Sequence, residues 1–115
     1  MSYMLLIVEP PGQRQERGLE AGQAAYDHML AYSRSLKERG VLIGTNSLKS
    51  AGARLTVRGG KSLVVDGPFT EAKEIVGGYF LLNVKTRDEA LALAFECPAA
   101  QWATVEVREL GPCYE

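Results

Sequence analysis

Two stretches of this chain are apolar on consecutive residues: Tyr3-Met4-Leu5-Leu6-Ile7-Val8 near its start, and Ile75 to Val84 further on. Both have the length and side-chain character of strands. A strand with one wet face alternates apolar and polar residues, whereas a strand that is apolar at successive positions is covered on both faces. The fold must therefore shelter two sets of side chains. One set is Leu5, Ile7, Phe80 and Leu82; the other is Met4, Leu6, Tyr79 and Leu81.

The rest of the chain supplies elements around these strands. Glu9-Pro10-Pro11-Gly12 stops the first one, since proline donates no ladder hydrogen bond. Gln13 to Gly22 is polar and reads as a loop, followed by a helix to about Arg39. Ala25, Met29 and Leu36, with Tyr26, Leu30 and Ser33, recur at helical spacing and predict its buried face. Gly40 suits a left-handed cap. A second strand runs from Val41 to about Leu48. Ala53–Arg58 and Ser62–Val65 read as a hairpin, because Gly59-Gly60 fits a type I′ turn. After Asp66-Gly67-Pro68, the segment Thr70 to Glu74 reads as one helical turn before the long apolar strand. Thr86-Arg87-Asp88-Glu89 is a capping box, opening a helix whose expected apolar face is Ala90, Leu91, Ala94 and Phe95. Cys97-Pro98 ends that helix, and Ala103 to Leu110 forms a last strand.

The order strand-helix-strand, hairpin, strand-helix-strand predicts one α+β domain over residues 1–115. Its plan is ferredoxin-like, βαβ-βαβ with an inserted β-hairpin. In that plan the doubly apolar strands are central and both helices cover one face. The simplest cover for the other face is the same face of a second copy, giving a homodimer, a dimeric α+β barrel. The rival cover is the chain's own hairpin.

Thirteen basic and fourteen acidic side chains nearly cancel, so no electrostatic footprint for nucleic acid or a membrane surface is expected. No apolar run approaches the ~20 residues of a membrane span. The start lacks the charged segment of a signal peptide, and a cytoplasmic location is expected. Cys97 and Cys113 read as free thiols. His28 is the single histidine, so no metal site and no cofactor are expected.

Chemistry-bearing residues concentrate in Asp66-Gly67-Pro68-Phe69-Thr70-Glu71-Ala72-Lys73-Glu74 and the Gly77-Gly78 pair after it. On one reading Asp66 is a turn former and the glycines allow curvature. On the other, Asp66 is an acid or base, His28 its proton partner and Lys73 an electrostatic stabiliser. Glu74, Gly77, Gly78, Tyr79 and Tyr32 would then line a ligand cleft. Tyr32 lies one helical turn beyond His28. Trp102 reads as packing.

The run Asp66-Gly67-Pro68-Phe69, with Glu71-Ala72-Lys73-Glu74 and Gly77-Gly78-Tyr79-Phe80, resembles the YCII-related family, in its branch named for Asp-Gly-Pro-Phe. Tyr3-Met4-Leu5-Leu6, Glu96-Cys97-Pro98-Ala99-Ala100 and Glu106-Val107-Arg108 extend the resemblance over nearly the whole chain. It implies a bacterial dimeric α+β barrel of ferredoxin-like protomers. It also implies a proposed enzymatic role using a histidine and an aspartate in a cleft. His28 is the available histidine; Glu38 stands at the aspartate position, just before the helix-ending glycine. Some relatives are encoded beside, or fused to, extracytoplasmic-function sigma factors. The function expected is thus a small-molecule-binding, enzyme-like protein, and the alternative a regulatory module associated with a sigma factor.

Overall fold

A computed structural model describes residues 2–115. Strand β1 (Tyr3–Glu9) is followed by a short helix α1 (Gln13–Arg17) and a long helix α2 (Leu19–Glu38). Next come β2 (Leu42–Ser47), β3 (Ala53–Arg58), β4 (Lys61–Asp66) and β5 (Ile75–Leu82). Helix α3 (Arg87–Glu96), a 3-10 turn at Pro98–Gln101 and β6 (Thr104–Glu109) complete the order. Four strands form one antiparallel sheet, β2-β5-β1-β6, and β3-β4 form a separate hairpin. The doubly apolar strands β1 and β5 are the central pair, as the ferredoxin-like plan requires.

Burial in β1 alternates residue by residue. Tyr3, Leu5 and Ile7 join Phe80 and Leu82 under the helices, packed with Tyr32, Leu36, Ala90, Leu93 and Ala94. The other set is only half-buried. Register puts Met4 opposite Leu81 and Leu6 opposite Tyr79, so these share the face turned away from the helices. Glu106 and Arg108 flank them on β6.

The helices bury only part of the faces expected: Met29 and Leu36 of α2 and Ala90 and Ala94 of α3 join the core, and the rest of each face does not. In α2 the core stripe is Met29, Tyr32 and Leu36, whereas Tyr26 is 54% exposed. In α3 it is Ala90, Leu93 and Ala94, continued by Cys97 just past the helix end, and Phe95 is 88% exposed. In each helix the buried stripe overlaps the one read and is rotated from it by less than one residue's ~100°, toward Tyr32 in α2 and Leu93 in α3. Both patterns contain apolar residues at i and i+4, and docking on the sheet chooses between them.

The segment Gln13 to Gly22 is helical, not a loop. It forms α1 and the first turn of α2, separated at Gly18, whose φ is +82°. Hydrophobic periodicity gives no sign of α1, which buries no residue. The hairpin turn at Gly59-Gly60 has positive φ at both positions, +58° and +77°. At Thr86 the box is formed in part: the Glu89 amide donates to the Thr86 hydroxyl (3.1 Å), and that hydroxyl donates to the Glu89 carboxylate (3.0 Å). Thr70 to Glu74 is not helical; one turn closes there, Ala72 N–H donating to Phe69 O at 3.0 Å.

The β3-β4 hairpin does not cover the open face. Every residue in both of its strands is exposed, including Leu55, Val57, Leu63 and Val64. The radius of gyration, 15.9 Å, exceeds the ~13 Å of a compact chain this long, consistent with an arm standing off the body.

Cys97 is buried and Cys113 exposed. Burial pushes the Cys97 thiol up from its ordinary value, and Tyr32 is raised for the same first cause, reinforced by Cys97 and Glu96. A thiol-reactive disulfide reagent is therefore expected to titrate Cys113 quickly and Cys97 only on unfolding. Both groups are raised in the fold, so their stabilising contribution is complete below the ordinary values of 9.0 and 10.0. It is lost as pH climbs above them, because the unfolded chain releases these protons first. A urea-midpoint series between pH 7 and 11 should fall only on the alkaline side.

Candidate functional site

The alternation of β1 carries a charge to the end of the core face. After Tyr3, Leu5 and Ile7 comes Glu9, which is 6% exposed. A buried carboxylate needs a partner, and Arg14 of α1 supplies it. Arg14 Nη2 lies 2.8 Å from Glu9 Oε1 and Nε lies 3.0 Å from Oε2, a two-point pairing. The same guanidinium donates to Leu48 O (2.6 Å) and Gly77 O (3.1 Å). One side chain thus ties α1, β1, β5 and the end of β2 together. Of the five N–H groups of an arginine, these contacts leave one free.

Gly77 makes this pairing sterically possible. The β1-β5 register slips between Ile7 and Val8, so Ile7 faces Gly78, Val8 faces Val76 and Gly77 is bulged. A Cβ on Gly77 would overlap Glu9 Oε1 and lie 2.7 Å from Arg14 Nη2. At Gly78 it would lie 3.0 Å from Asn46 O, so β2 approaches closely there. The double glycine in an otherwise bulky strand is explained by these two neighbours.

Beside this pair a cleft of ≈ 1020 Å³ opens between the N-terminal half of α2 and the sheet. Ile7, Phe80, Met29 and Leu30 give it apolar walls; Thr45, Ser47, Gln23 and Ser33 add polar groups. Arg17 and Trp102 also line it, the guanidinium carbon 5.4 Å from the indole centroid. Gln13 links the two: its amide NH2 donates to Trp102 O (2.5 Å) and its amide oxygen accepts from Arg17 Nη2 (3.1 Å).

The residues expected from the sequence fall in different places. Gly77, Gly78 and Tyr79 border the cleft, although Tyr79 shares the sheet's open face with Leu6. The Tyr79 hydroxyl accepts from Asn46 Nδ2 at 3.0 Å. Tyr32 is core: its hydroxyl donates to Leu93 O at 2.5 Å, and its ring meets Phe80 edge-on at 5.2 Å. Asp66, Lys73 and His28 are exposed and do not line the cleft. Asp66 ends β4, Lys73 lies in the connection to β5, and His28 is on α2. Glu74 borders a smaller hollow of ≈ 310 Å³ with Val8, Trp102 and Thr104. Among the described residues, the side chains of Asp66, His28, Lys73 and Glu74 form no hydrogen bond or ion pair with one another. No cluster of three or more metal-ligating side chains occurs among the described residues, and no helix among them is long and apolar enough to cross a membrane.

Glu9, Arg14 and Gln13 escaped the sequence reading. For Glu9 a signal existed: the period-two alternation continues through it, although Pro10-Pro11 marks the strand's end. Within one chain the cleft is built for binding and charge stabilisation more than for proton transfer. Among the described residues that line it, the only carboxylate is held by Arg14 and there is no histidine or lysine.

Residues 1–113 match the YCII-related domain family. An uncharacterised protein of Rhizobium meliloti, R00369, is 31% identical, the match covering 96% of this chain and 93% of that protein. Among solved structures, 5-chloro-2-hydroxyhydroquinone dehydrochlorinase from Burkholderia phenoliruptrix, in complex with 2,5-dihydroxybenzoquinone, shares the fold. Its TM-score is 0.56 at 17% identity, covering 96% of this chain and 94% of that one.

Proposed function

This chain belongs to the YCII-related family, and on that premise we propose that it is a small-molecule-binding, enzyme-like protein acting as a cytoplasmic homodimer. Its ligand site is the cleft between α2 and the sheet. The observation that carries this reading is the cleft floor. There the sequence gives up a side chain at Gly77 so that a buried Glu9–Arg14 pair can sit against an apolar hollow. A charge pair of this kind is costly to bury, and it fixes the walls of the cleft from four elements. The cleft also has the size and mixed lining of a small-molecule site. The fold's capacity for a compact ring is supported by the dehydrochlorinase, described with a bound quinone.

The homodimer reading rests on the sheet's open face. Met4, Leu6 and Leu81 form an apolar centre, with Glu106, Arg108 and Asn46 around it. Apolar core and polar rim are the anatomy of an interface. The exposed hairpin adds apolar surface that a two-stranded ribbon cannot bury alone.

Gly22 allows a direct test. It lines the cleft, and a Cβ there meets nothing within 4 Å. Gly22→Phe is expected to fold normally and fill the cleft. In a thermal-shift screen of small organic acids, phenols and quinones, hits should raise the wild-type Tm and leave Gly22→Phe unmoved. Equal shifts in both proteins would place binding elsewhere. An absence of hits, with a sigma factor retained through gentle purification, would favour the regulatory-module alternative.

A further inference from the structure

The charges in the cleft do not cancel, and the residual one is positioned. Glu9, Arg14 and Arg17 are the charged residues that line it. Glu9 and Arg14 neutralise each other. Arg14 is further occupied by two backbone carbonyls. Arg17 has no carboxylate partner among the described residues. Its one side-chain hydrogen bond goes to Gln13 Oε1, at 3.1 Å, and its guanidinium lies over Trp102. Gln13 is itself anchored to Trp102 O. Arg17 is thus held in place from two sides with most of its donors unspent.

We propose that the cleft selects small ligands that join a planar apolar body to a single negative charge, such as an aromatic carboxylate or a phenolate. Arg17 is the anionic anchor, and Trp102 is the platform that holds it. The inference rests on the cleft being the ligand site and names the class of ligand it takes. Three features carry it. The unpaired guanidinium supplies one positive charge, which a monoanion balances and a neutral ligand leaves uncompensated. The cation–π contact with the indole and the Gln13 hydrogen bond restrict Arg17 before the ligand arrives, so less entropy is lost on binding. The walls formed by Ile7, Met29 and Phe80 suit a ring and offer nothing to a strongly hydrated polyanion. An electron-rich ligand whose charge grows during a reaction would be stabilised at the same spot by the guanidinium.

Trp102 is the chain's single tryptophan, so its fluorescence reports on this corner directly. The experiment titrates wild type, Arg17→Gln and Gly22→Phe with benzoate and with benzamide, a neutral molecule of nearly the same shape. Wild type should bind benzoate about tenfold more tightly than benzamide, the effect of one charge-assisted hydrogen bond. Arg17→Gln should erase that difference and keep its benzamide affinity, and Gly22→Phe should lose both ligands. Raising the salt should weaken benzoate alone, a readout that needs no variant. Equal binding of the two probes by wild type would overturn the charge selection while leaving the cleft as a binding site. A benzoate preference that survives in Arg17→Gln would overturn the role of Arg17. Binding of both probes by Gly22→Phe as tightly as by wild type would instead overturn the cleft reading beneath it.

Discussion

Replacing Gly77 with alanine is expected to cost about 3 kcal/mol of folding stability, a large effect for one methyl group. The new Cβ has no room, because Glu9 Oε1 already occupies its place. Either the carboxylate swings away, leaving a buried charge without its partner, or β5 shifts from β1 across the bulge. The cost lies at the lower end for breaking a buried pair because Arg14 remains about a third exposed. Urea denaturation measures it. Gly22→Ala is the matched comparison: Gly22 sits inside α2 with open space around it, and alanine there should stabilise by roughly 0.5–1 kcal/mol. In a Glu9→Ala background the Gly77→Ala cost should shrink, since the colliding oxygen is gone. If Gly77→Ala were as stable as wild type, the close approach of Glu9 to this strand would be disproved.

The second large effect is on assembly. Leu6→Asp puts a carboxylate at the centre of the open face, between Tyr79 on β5 and Glu106 on β6. If that face is the dimer interface, burying the new charge beside Glu106 should weaken association by at least about 100-fold, roughly 3 kcal/mol. The protomer should still fold, because Leu6 lies opposite the helix-covered core and is only half-buried in the single chain. Sedimentation equilibrium should give twice the chain mass for wild type and the chain mass for the variant. A wild type that sediments as a single chain would remove the dimer from the account and leave the cleft of each protomer intact.

Where the hydrophobic pattern is unambiguous, the sequence reveals the fold. Consecutive apolar residues in β1 and β5 place both strands at the centre of the sheet; Gly59-Gly60 closes the hairpin; Thr86 and Cys97-Pro98 bound α3. Helix rotation is less legible. Tyr26 competes with Tyr32, and Phe95 with Leu93, at equally good helical spacings, and only contact with the sheet decides. Helix α1 is invisible to periodicity because its anchors are polar: Arg14 bonds to residues 34 and 63 positions away, and Gln13 to one 89 positions away. The site is legible in one half. Two glycines in a strand announce that something approaches closely, but which group does so is a tertiary fact. The conspicuous charged residues around Asp66 draw attention because they are clustered in sequence. Glu9, Arg14 and Arg17 are brought to the cleft by the turn at Gly12 and the bend at Gly18.

The central claim is that ligand enters the cleft beside Gly77. It is tested most directly by amide and indole chemical-shift mapping on the intact chain during a benzoate titration. The account predicts shifts at Gly77, Gly78 and the Trp102 indole N–H. Shifts confined to Asp66–Glu74 and His28, with the glycine pair and the indole unmoved, would contradict it.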